Sequence, residues 1–164
     1  IYTRTGLVAL QSATAGDVST IALRDFHTLK FPPSTNRLAK AYATVSSEFV
    51  AARHPFFTSA DLYVIEDPIY GVIGRGKTII PTTSIKLAEL SAIFKVWLEI
   101  HNKPYLTVSP TSIKRFITGR GDAEKSAVAS EINRRYSIQF ERDPGNDLSD
   151  ATGLALWGIL TKGS

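Results

Sequence analysis

The sequence predicts an α/β domain with one mixed β-sheet flanked by helices. Two apolar segments with strand character lie near the front of the chain, and further short apolar runs then alternate with segments whose apolar residues recur at helical spacing. A chain of 164 residues can bury a sizeable core. We therefore expect residues 1–164 to form a single domain, without repeats, low-complexity tracts or linkers.

The individual elements follow from apolar patterning and from the turn residues that end each pattern. Residues 5–11 and 18–29 have the pattern of strands, and Ala15-Gly16-Asp17 between them is typical of a turn. The remaining elements are predicted in this order: a helix at about 35–52, a strand at 61–66, a glycine-containing loop at 68–77, a helix at 83–101, a strand at 105–108, helices at 110–116 and 123–135, and a last helix at 148–160.

Composition excludes several classes of protein. The chain has no cysteine, which excludes disulfides and thiolate metal sites, so a metal would depend on oxygen ligands or on the three histidines. Oxygen ligands favour Mg²⁺ or Mn²⁺. No apolar run approaches the roughly 20 residues of a membrane span, so we expect an intracellular protein with no membrane partner. Because the chain also lacks methionine, we expect residues of the natural protein to precede Ile1.

The positive charge of the chain is concentrated in one region. The net charge is +4, and residues 103–135 hold seven basic and three acidic residues, a difference that equals the net charge of the whole chain. A basic region of this kind suits an anionic partner such as a nucleic acid. The alternative is an ordinary solvated surface of mixed charge.

Three acids stand where a metal site could form. Glu66 closes the apolar run LYVIE, and ligands of α/β folds bind at the C-terminal ends of strands. Asp147 and Asp150 lie three residues apart and therefore share one face at the start of the last helix. Converging carboxylates need a cation between them, and paired hard cations are a recurring device for cutting phosphodiesters. The plainer alternatives are a solvent-facing Glu66, a helix-capping Asp147, and an Asp150 that offsets the helix dipole.

The run TGRGDAEK at 118–125 is the most distinctive stretch of the sequence. Two glycines bracket Arg120 just before a predicted helix, and backbone N–H groups at such a place suit a phosphate. Lys114 and Lys125 can add positive charge there. Alternatively, the glycines only make a turn between two helices.

Together these motifs resemble the RuvC-type Holliday junction resolvases of the RNase H-like superfamily. The matching runs are YVIEDP, VSPTSIKRFITGRGDAEKSAV and DLSDATGLALW, in the family's order and with compatible spacing, and TGLVA at 5–9 is similar to its second strand. The resemblance implies an RNase H-like mixed sheet flanked by helices. It also implies a structure-selective DNA endonuclease that resolves four-way junctions by metal-dependent phosphodiester hydrolysis and acts as a homodimer on branched DNA.

The resemblance also implies roles for particular residues. Glu66, Asp147 and Asp150 would bind Mg²⁺ or Mn²⁺, as two ions, and Lys125 would lie near the scissile phosphate as a fourth catalytic residue. The predicted helix at 83–101 would form the dimer contact. The expected DNA-binding residues are Lys114, Arg115, Arg120, Tyr70, Arg75 and Lys77. The family places an aromatic wedge close behind its glutamate, and Ile69 and Tyr70 are the candidates for it here.

The sequence departs from the family pattern at its start. The family's first catalytic aspartate ends its first strand, a few residues before the Thr-Gly pair, whereas only four residues precede Thr5 here and none is acidic. We therefore expect the first strand and its aspartate to be missing from the given chain. Two alternatives remain open: another RNase H-like nuclease that acts on RNA or flaps, and a non-catalytic DNA-binding module of the same fold.

Overall fold

The structure is a computed structural model that describes residues 3–13, 19–31, 37–50, 55–67 and 82–162. The described part contains the following elements: β1 (Thr3–Gln11), β2 (Ala22–Phe31), α1 (Arg37–Val50), α2 (Pro55–Thr58), β3 (Tyr63–Glu66), α3 (Thr82–Ile100), β4 (Tyr105–Val108), α4 (Pro110–Thr118), α5 (Lys125–Tyr136) and α6 (Asp147–Lys162). The predicted strands and helices are confirmed, with ends that differ by a few residues. Helix α2 was not predicted, because four residues are too few to show a helical period. The predicted turn at 15–17 and the predicted loop at 68–77 lie outside the described residues.

The strands form two pairs. Strands β1 and β2 are antiparallel, from Thr3 opposite Phe31 to Gln11 opposite Ala22. Strands β3 and β4 are parallel, from Tyr63 opposite Tyr105 to Glu66 opposite Val108. Within the described residues no strand pairing joins the two pairs, so the predicted single mixed sheet is divided into two halves.

A cavity of about 680 Å³, the interstrand cavity, separates the two halves of the sheet. Its lining includes every residue from 6 to 12 in and after β1 and every residue from 62 to 66 at β3. Because side chains alternate between the two faces of a strand, an uninterrupted lining means that the edges of both strands face the cavity. Apolar side chains of α3 and α6 complete its walls, among them Leu90, Phe94, Leu154 and Ile159.

Helix α6 fixes the directions of the two strands that flank the interstrand cavity. Gly6, near the start of β1, lies against the backbone of Asp147 at the start of α6. Gly158, near the end of the same helix, lies against Val64 of β3, whereas Glu66 at the end of β3 interacts with Asp150. Strand β1 therefore begins where β3 ends, and the two strands run in opposite directions across α6.

Two apolar clusters hold these elements together. The first joins the β1–β2 pair to α1 and α3 through buried Leu29, Val45 and Trp97. The second joins β4 to α4, α5 and α6 through Ile117, Val128, Ile132 and Leu156. Each of these seven side chains is at most 3% exposed, so the helices that carry the predicted acids and lysines have rigid supports. None of the helices in the described part of the chain is both long and apolar enough to cross a membrane.

Candidate active site

Asp147 is not the capping residue of α6, although the sequence allowed that role. The carboxylate of Asp143 caps this helix instead: it accepts hydrogen bonds from the backbone N–H of Leu148 at 3.0 Å and from the N–H and hydroxyl of Ser149 at 2.9 and 2.8 Å. Sequence reasoning missed Asp143, although the run Asp-Pro-Gly-Asn before the helix is a turn signal that could have pointed to it.

Close backbone packing holds the start of α6 against β1. A Cβ atom added to Gly6 would lie 2.5 Å from the carbonyl carbon of Asp147 and 2.9 Å from the nitrogen of Leu148. Only a glycine leaves room for this approach. Gly6 of the Thr5-Gly6 pair therefore has a physical role in the structure, because it lets the helix that carries the two aspartates lie directly on a strand.

Lys125 forms an ion pair with one of these aspartates. Its Nζ atom donates a hydrogen bond to Oδ2 of Asp150 at 2.6 Å and lies 3.5 Å from the carbonyl oxygen of Gly145. Lys125 is the first residue of α5, so this pair joins the start of α5 to the start of α6. The lysine of the TGRGDAEK motif is thus brought beside the D-x-x-D motif.

Glu66, at the end of β3, faces the same group of charges. Burial raises the pKa of Glu66, and the negative charge of Asp150 raises it further, while Lys125 and Lys114 oppose the shift. The net change is upward from the ordinary value of 4.5. A carboxylate in such a place is stabilised when positive charge approaches it.

The pKa values of Asp150 and Lys125 reflect the same clustering. Burial raises the pKa of Asp150, the hydrogen bond and charge of Lys125 lower it, and the charges of Asp147 and Asp143 raise it, with an upward net shift. For Lys125, partial burial lowers the pKa, but Asp150, Asp147 and Glu66 together outweigh burial, so the net shift is also upward. The cluster thus retains unfavourable negative charge even with the lysine present.

Glu66, Lys125, Asp147 and Asp150 all line the interstrand cavity. Nevertheless, among the residues that the structure describes, no three acidic or histidine side chains are grouped closely enough to hold one metal ion. The structure thus brings the predicted acids to one cavity, with Lys125 paired to Asp150. Their assignment as metal ligands stays a prediction.

The predicted DNA-binding residues do not all lie at the site. Lys114 of α4 interacts electrostatically with Glu66, so it lies close to the acids. Arg115 and Arg120 are exposed and do not line the cavity, and Arg120 pairs with Asp122 at 3.1 Å. The other three, Tyr70, Arg75 and Lys77, lie outside the described residues, as does Ile69.

The glycines of TGRGDAEK make the turn between α4 and α5. Gly119 ends α4 in the left-handed conformation, with φ of 80°, and its N–H bonds to the carbonyl oxygen of Arg115. The hydroxyl of Thr118 accepts a hydrogen bond from the N–H of Arg120 at 3.2 Å. Within the described residues these contacts favour the plainer interpretation of the two glycines, while Lys125 remains beside the acids.

Replacing Glu66 with glutamine is expected to stabilise the protein at neutral pH. Because its folded-state pKa is raised, the folded protein keeps the Glu66 proton longer than the unfolded chain, and stability falls as pH rises through that range. Glu66→Gln should raise the thermal midpoint at pH 7 by about 2 to 4 °C, the effect of roughly 1 kcal/mol in a domain of this size. The gain should disappear below the ordinary pKa of 4.5. Exposed Glu141 is the control, and an equal gain from Glu141→Gln would contradict the interpretation.

The fold is the RNase H-like α/β fold of RuvC-type resolvases. Thermus thermophilus RuvC shares it with a TM-score of 0.58 and 16% identity, and the match covers 93% of this chain and 92% of that one. The structure of T. thermophilus RuvC in complex with a Holliday junction substrate matches with a TM-score of 0.63 and 15% identity, and this match covers 96% of this chain and 97% of that one. At these identities the likeness shows the fold alone, and it confirms the predicted fold class.

Sequence relatives carry the same name. The chain is 28% identical over 122 residues to the crossover junction endodeoxyribonuclease RuvC of Gloeobacter violaceus. The aligned region covers 74% of this chain and 62% of that relative. It is 31% identical over 100 residues to the RuvC of Wolinella succinogenes, and the aligned region covers 60% of this chain and 56% of that relative. The chain thus spans less than two thirds of the length of these curated relatives. No protein-family profile matches it. The predicted resemblance to RuvC-type resolvases is confirmed.

Proposed function

We propose that this chain is the nuclease domain of a DNA endonuclease that resolves four-way junctions by metal-dependent phosphodiester hydrolysis. The observation that carries the proposal is that Glu66, Asp147, Asp150 and Lys125 all line the interstrand cavity, with Glu66 at the carboxyl end of β3 and Lys125 bonded to Asp150. Burial is the largest cause of the raised pKa values of Glu66 and Asp150, and a neighbouring carboxylate adds to each, Asp150 for Glu66 and Asp147 for Asp150; a bound cation would offset both effects. The names of the sequence relatives support the same activity.

The donor atoms of this site are of the type that a hard divalent cation takes, although in the described residues the three carboxylates are not grouped closely enough to hold one ion, so a bound cation would have to draw them together. The proposed ligands are the carboxylates of Glu66, Asp147 and Asp150, and oxygen ligands of this kind suit Mg²⁺ or Mn²⁺. Since Lys125 is bonded to Asp150, a cation would compete with the lysine for that carboxylate. When bound, the metal would supply a Lewis acid and an activated water, and a second ion would need a further acidic ligand.

The interstrand cavity supports the expectation of a further strand that carries such an acid. A strand there could pair with the free edges of β1 and β3, antiparallel to the first and parallel to the second. The hydroxyl of Ser91 in the cavity wall is 8% exposed and has no hydrogen-bond partner among the described residues, so it could bond to an added backbone. The carboxyl end of that strand would lie at the start of β1, beside Asp147, where one acid would join the cluster.

The two lysines of the site have a separate proposed task. Lys114 lies within α4, and Lys125 is the first residue of α5. Both act on Glu66 through positive charge, and both could hold a DNA phosphate against the acids. When a cation binds Asp150, Lys125 would lose this carboxylate as its partner and would pair with a DNA phosphate instead.

Cleavage of a set of labelled substrates tests the proposal. We expect the natural full-length protein to cut a four-way junction in Mg²⁺ or Mn²⁺, and to cut linear duplex DNA of the same sequence at least about 100-fold more slowly. Preferential cutting of an RNA–DNA hybrid or a flap would favour another RNase H-like nuclease. Tight binding of the junction without any cleavage would favour a non-catalytic module.

We further propose that the protein acts as a homodimer through α3, because two opposed nicks need two active sites at a fixed separation. Three apolar residues on one side of this helix are exposed: Ile85 (44%), Val96 (50%) and Ile100 (59%). Exposed Ala92 falls on the same line. Two residues that could have widened this face, Ile93 and Trp97, are instead buried in the chain's own core. The remaining stripe suits a two-fold contact between copies.

Charge placed on this stripe is expected to separate the subunits. Val96→Glu should convert a dimer at micromolar concentration into a monomer, because the contact would have to bury the new carboxylate. Leu38→Glu on α1 is the matched control, since Leu38 is 52% exposed but lies on another helix. Light scattering with and without junction DNA measures the outcome. A wild-type protein that stays monomeric in both conditions would rule out the paired-nick mechanism.

A further inference from the structure

We infer that Asp143 is a positioning residue for the site, which it serves by holding the start of α6 so that Asp147 and Asp150 are free to face the interstrand cavity. This inference rests on the proposed function. It concerns a residue that precedes the D-x-x-D motif by four positions and was not among the predicted site residues.

A short turn places the carboxylate of Asp143 over the end of the helix. The N–H of Asn146 bonds to the carbonyl oxygen of Asp143 at 3.0 Å, and Asn146 has a positive φ of 54°, a conformation that asparagine tolerates better than most residues. The chain thereby turns back on itself between Asp143 and the helix. As a result the carboxylate reaches the second and third residues of α6, whose N–H groups a capping side chain normally accepts.

These capped groups are buried, so the cap is needed. Leu148 and Ser149 are only 3% and 8% exposed, and water cannot easily replace the carboxylate at their N–H groups. Without Asp143, these donors would need another acceptor, and the carboxylates of Asp147 and Asp150 lie in the same turn of the helix. Either acid could then turn toward its own helix and away from the cavity.

The same turn also contacts the two charged groups of the site. A Cβ atom added to Gly145 would lie 3.1 and 3.2 Å from the two carboxylate oxygens of Asp147. The carbonyl oxygen of Gly145 lies 3.5 Å from Nζ of Lys125. The turn that begins at Asp143 therefore borders the carboxylate of one acid and the ammonium group that pairs with the other.

Asp143 itself is not suited to be a ligand. Its Oδ1 atom accepts from Leu148, and its Oδ2 atom accepts both from the N–H and from the hydroxyl of Ser149. Both oxygens are thus occupied by three donors of the helix. Its role is to orient its neighbours, in the way that hydrogen-bonding partners of metal ligands do elsewhere.

Binding of Mn²⁺ alone, measured by calorimetry well below the thermal midpoints, tests this role. We expect Asp143→Ala to raise the dissociation constant by about 10- to 100-fold, the usual effect of removing a group that orients metal ligands. Asp143→Asn keeps one acceptor oxygen, so its dissociation constant for Mn²⁺ should rise less than about tenfold. The matched control is Glu141→Ala, which removes the same charge from an exposed position two residues away and should change affinity less than about twofold.

The outcomes separate this inference from the proposed function. If the wild type binds Mn²⁺ and Asp143→Ala binds it equally well, the positioning role is wrong while the metal site stands. If Asp143→Asn and Asp143→Ala lose equal affinity with unchanged thermal midpoints, Asp143 is a ligand and the inference is overturned. If the wild type binds no Mn²⁺, both the metal site and the positioning role fail. Should Asp143→Ala not fold, Asp143→Asn still gives the comparison.

Discussion

Replacing Asp147 with asparagine is expected to slow junction cleavage by at least about 100- to 1,000-fold, the range that loss of one electrostatic contact to a transition state produces. Junction binding should stay the same or become tighter. The carboxylate of Asp147 adds to the negative charge around Asp150, and DNA phosphates would approach this charge on binding. Asparagine keeps the shape of the side chain, and Asp143 continues to cap the helix, so the fold should be unaffected.

The matched control is Asp122→Asn. Asp122 is an exposed acid that pairs with Arg120 outside the interstrand cavity, and its replacement should leave cleavage within about threefold of the wild type. Cleavage is measured with labelled junctions in Mg²⁺, and binding is measured in a chelator. Loss of binding with Asp147→Asn, or an equal loss of cleavage with Asp122→Asn, would show that Asp147 has no specific catalytic part.

Gly6→Ala is expected to impair both stability and cleavage. The new Cβ atom would lie 2.5 Å from the carbonyl carbon of Asp147, and neither backbone can move far because one belongs to a paired strand and the other to a helix. We expect a loss of about 2 kcal/mol, as in other overpacked sites, and a fall in thermal midpoint of roughly 4 to 8 °C. A displacement of Asp147 by about 1 Å would also slow cleavage by about 100-fold.

Gly153→Ala separates this effect from glycine replacement in general. A Cβ atom at Gly153 would meet the methyl group Cγ2 of Ile113 at 3.1 Å, which a small side-chain movement can relieve, and alanine favours the helix more than glycine does. This variant should change the midpoint by less than about 3 °C and leave cleavage intact. Equal damage from both variants would contradict a special role for the contact between β1 and α6.

The elements and the acids could be predicted because their signals are local. Apolar spacing within a few residues marks a helix or a strand, and the position of Glu66 at the end of its run places it at a strand end. The residue spacing of Asp147 and Asp150 places both on one face of α6. These features depend on residues that are neighbours in the sequence, so tertiary packing did not change them.

The arrangement of the site could not be predicted, because it depends on contacts between distant residues. The ion pair of Lys125 with Asp150 joins residues 25 positions apart, and no sequence pattern gives its distance. Burial along α3 also depends on tertiary contacts: Leu87 has the helical spacing that predicts a core position, yet it is 44% exposed and lines the interstrand cavity. The cap by Asp143 acts across a turn, so the usual search immediately before a helix overlooks it.

The direct test of the account is the position of Mn²⁺ in a crystal of this protein, located by its anomalous scattering. We predict a peak between Glu66, Asp147 and Asp150, about 2.2 Å from oxygen atoms of at least two of them, with Lys125 moved away from Asp150. A Mn²⁺ peak elsewhere, or none at saturating Mn²⁺ while Lys125 stays bonded to Asp150, would contradict the proposal that these three carboxylates form the catalytic metal site.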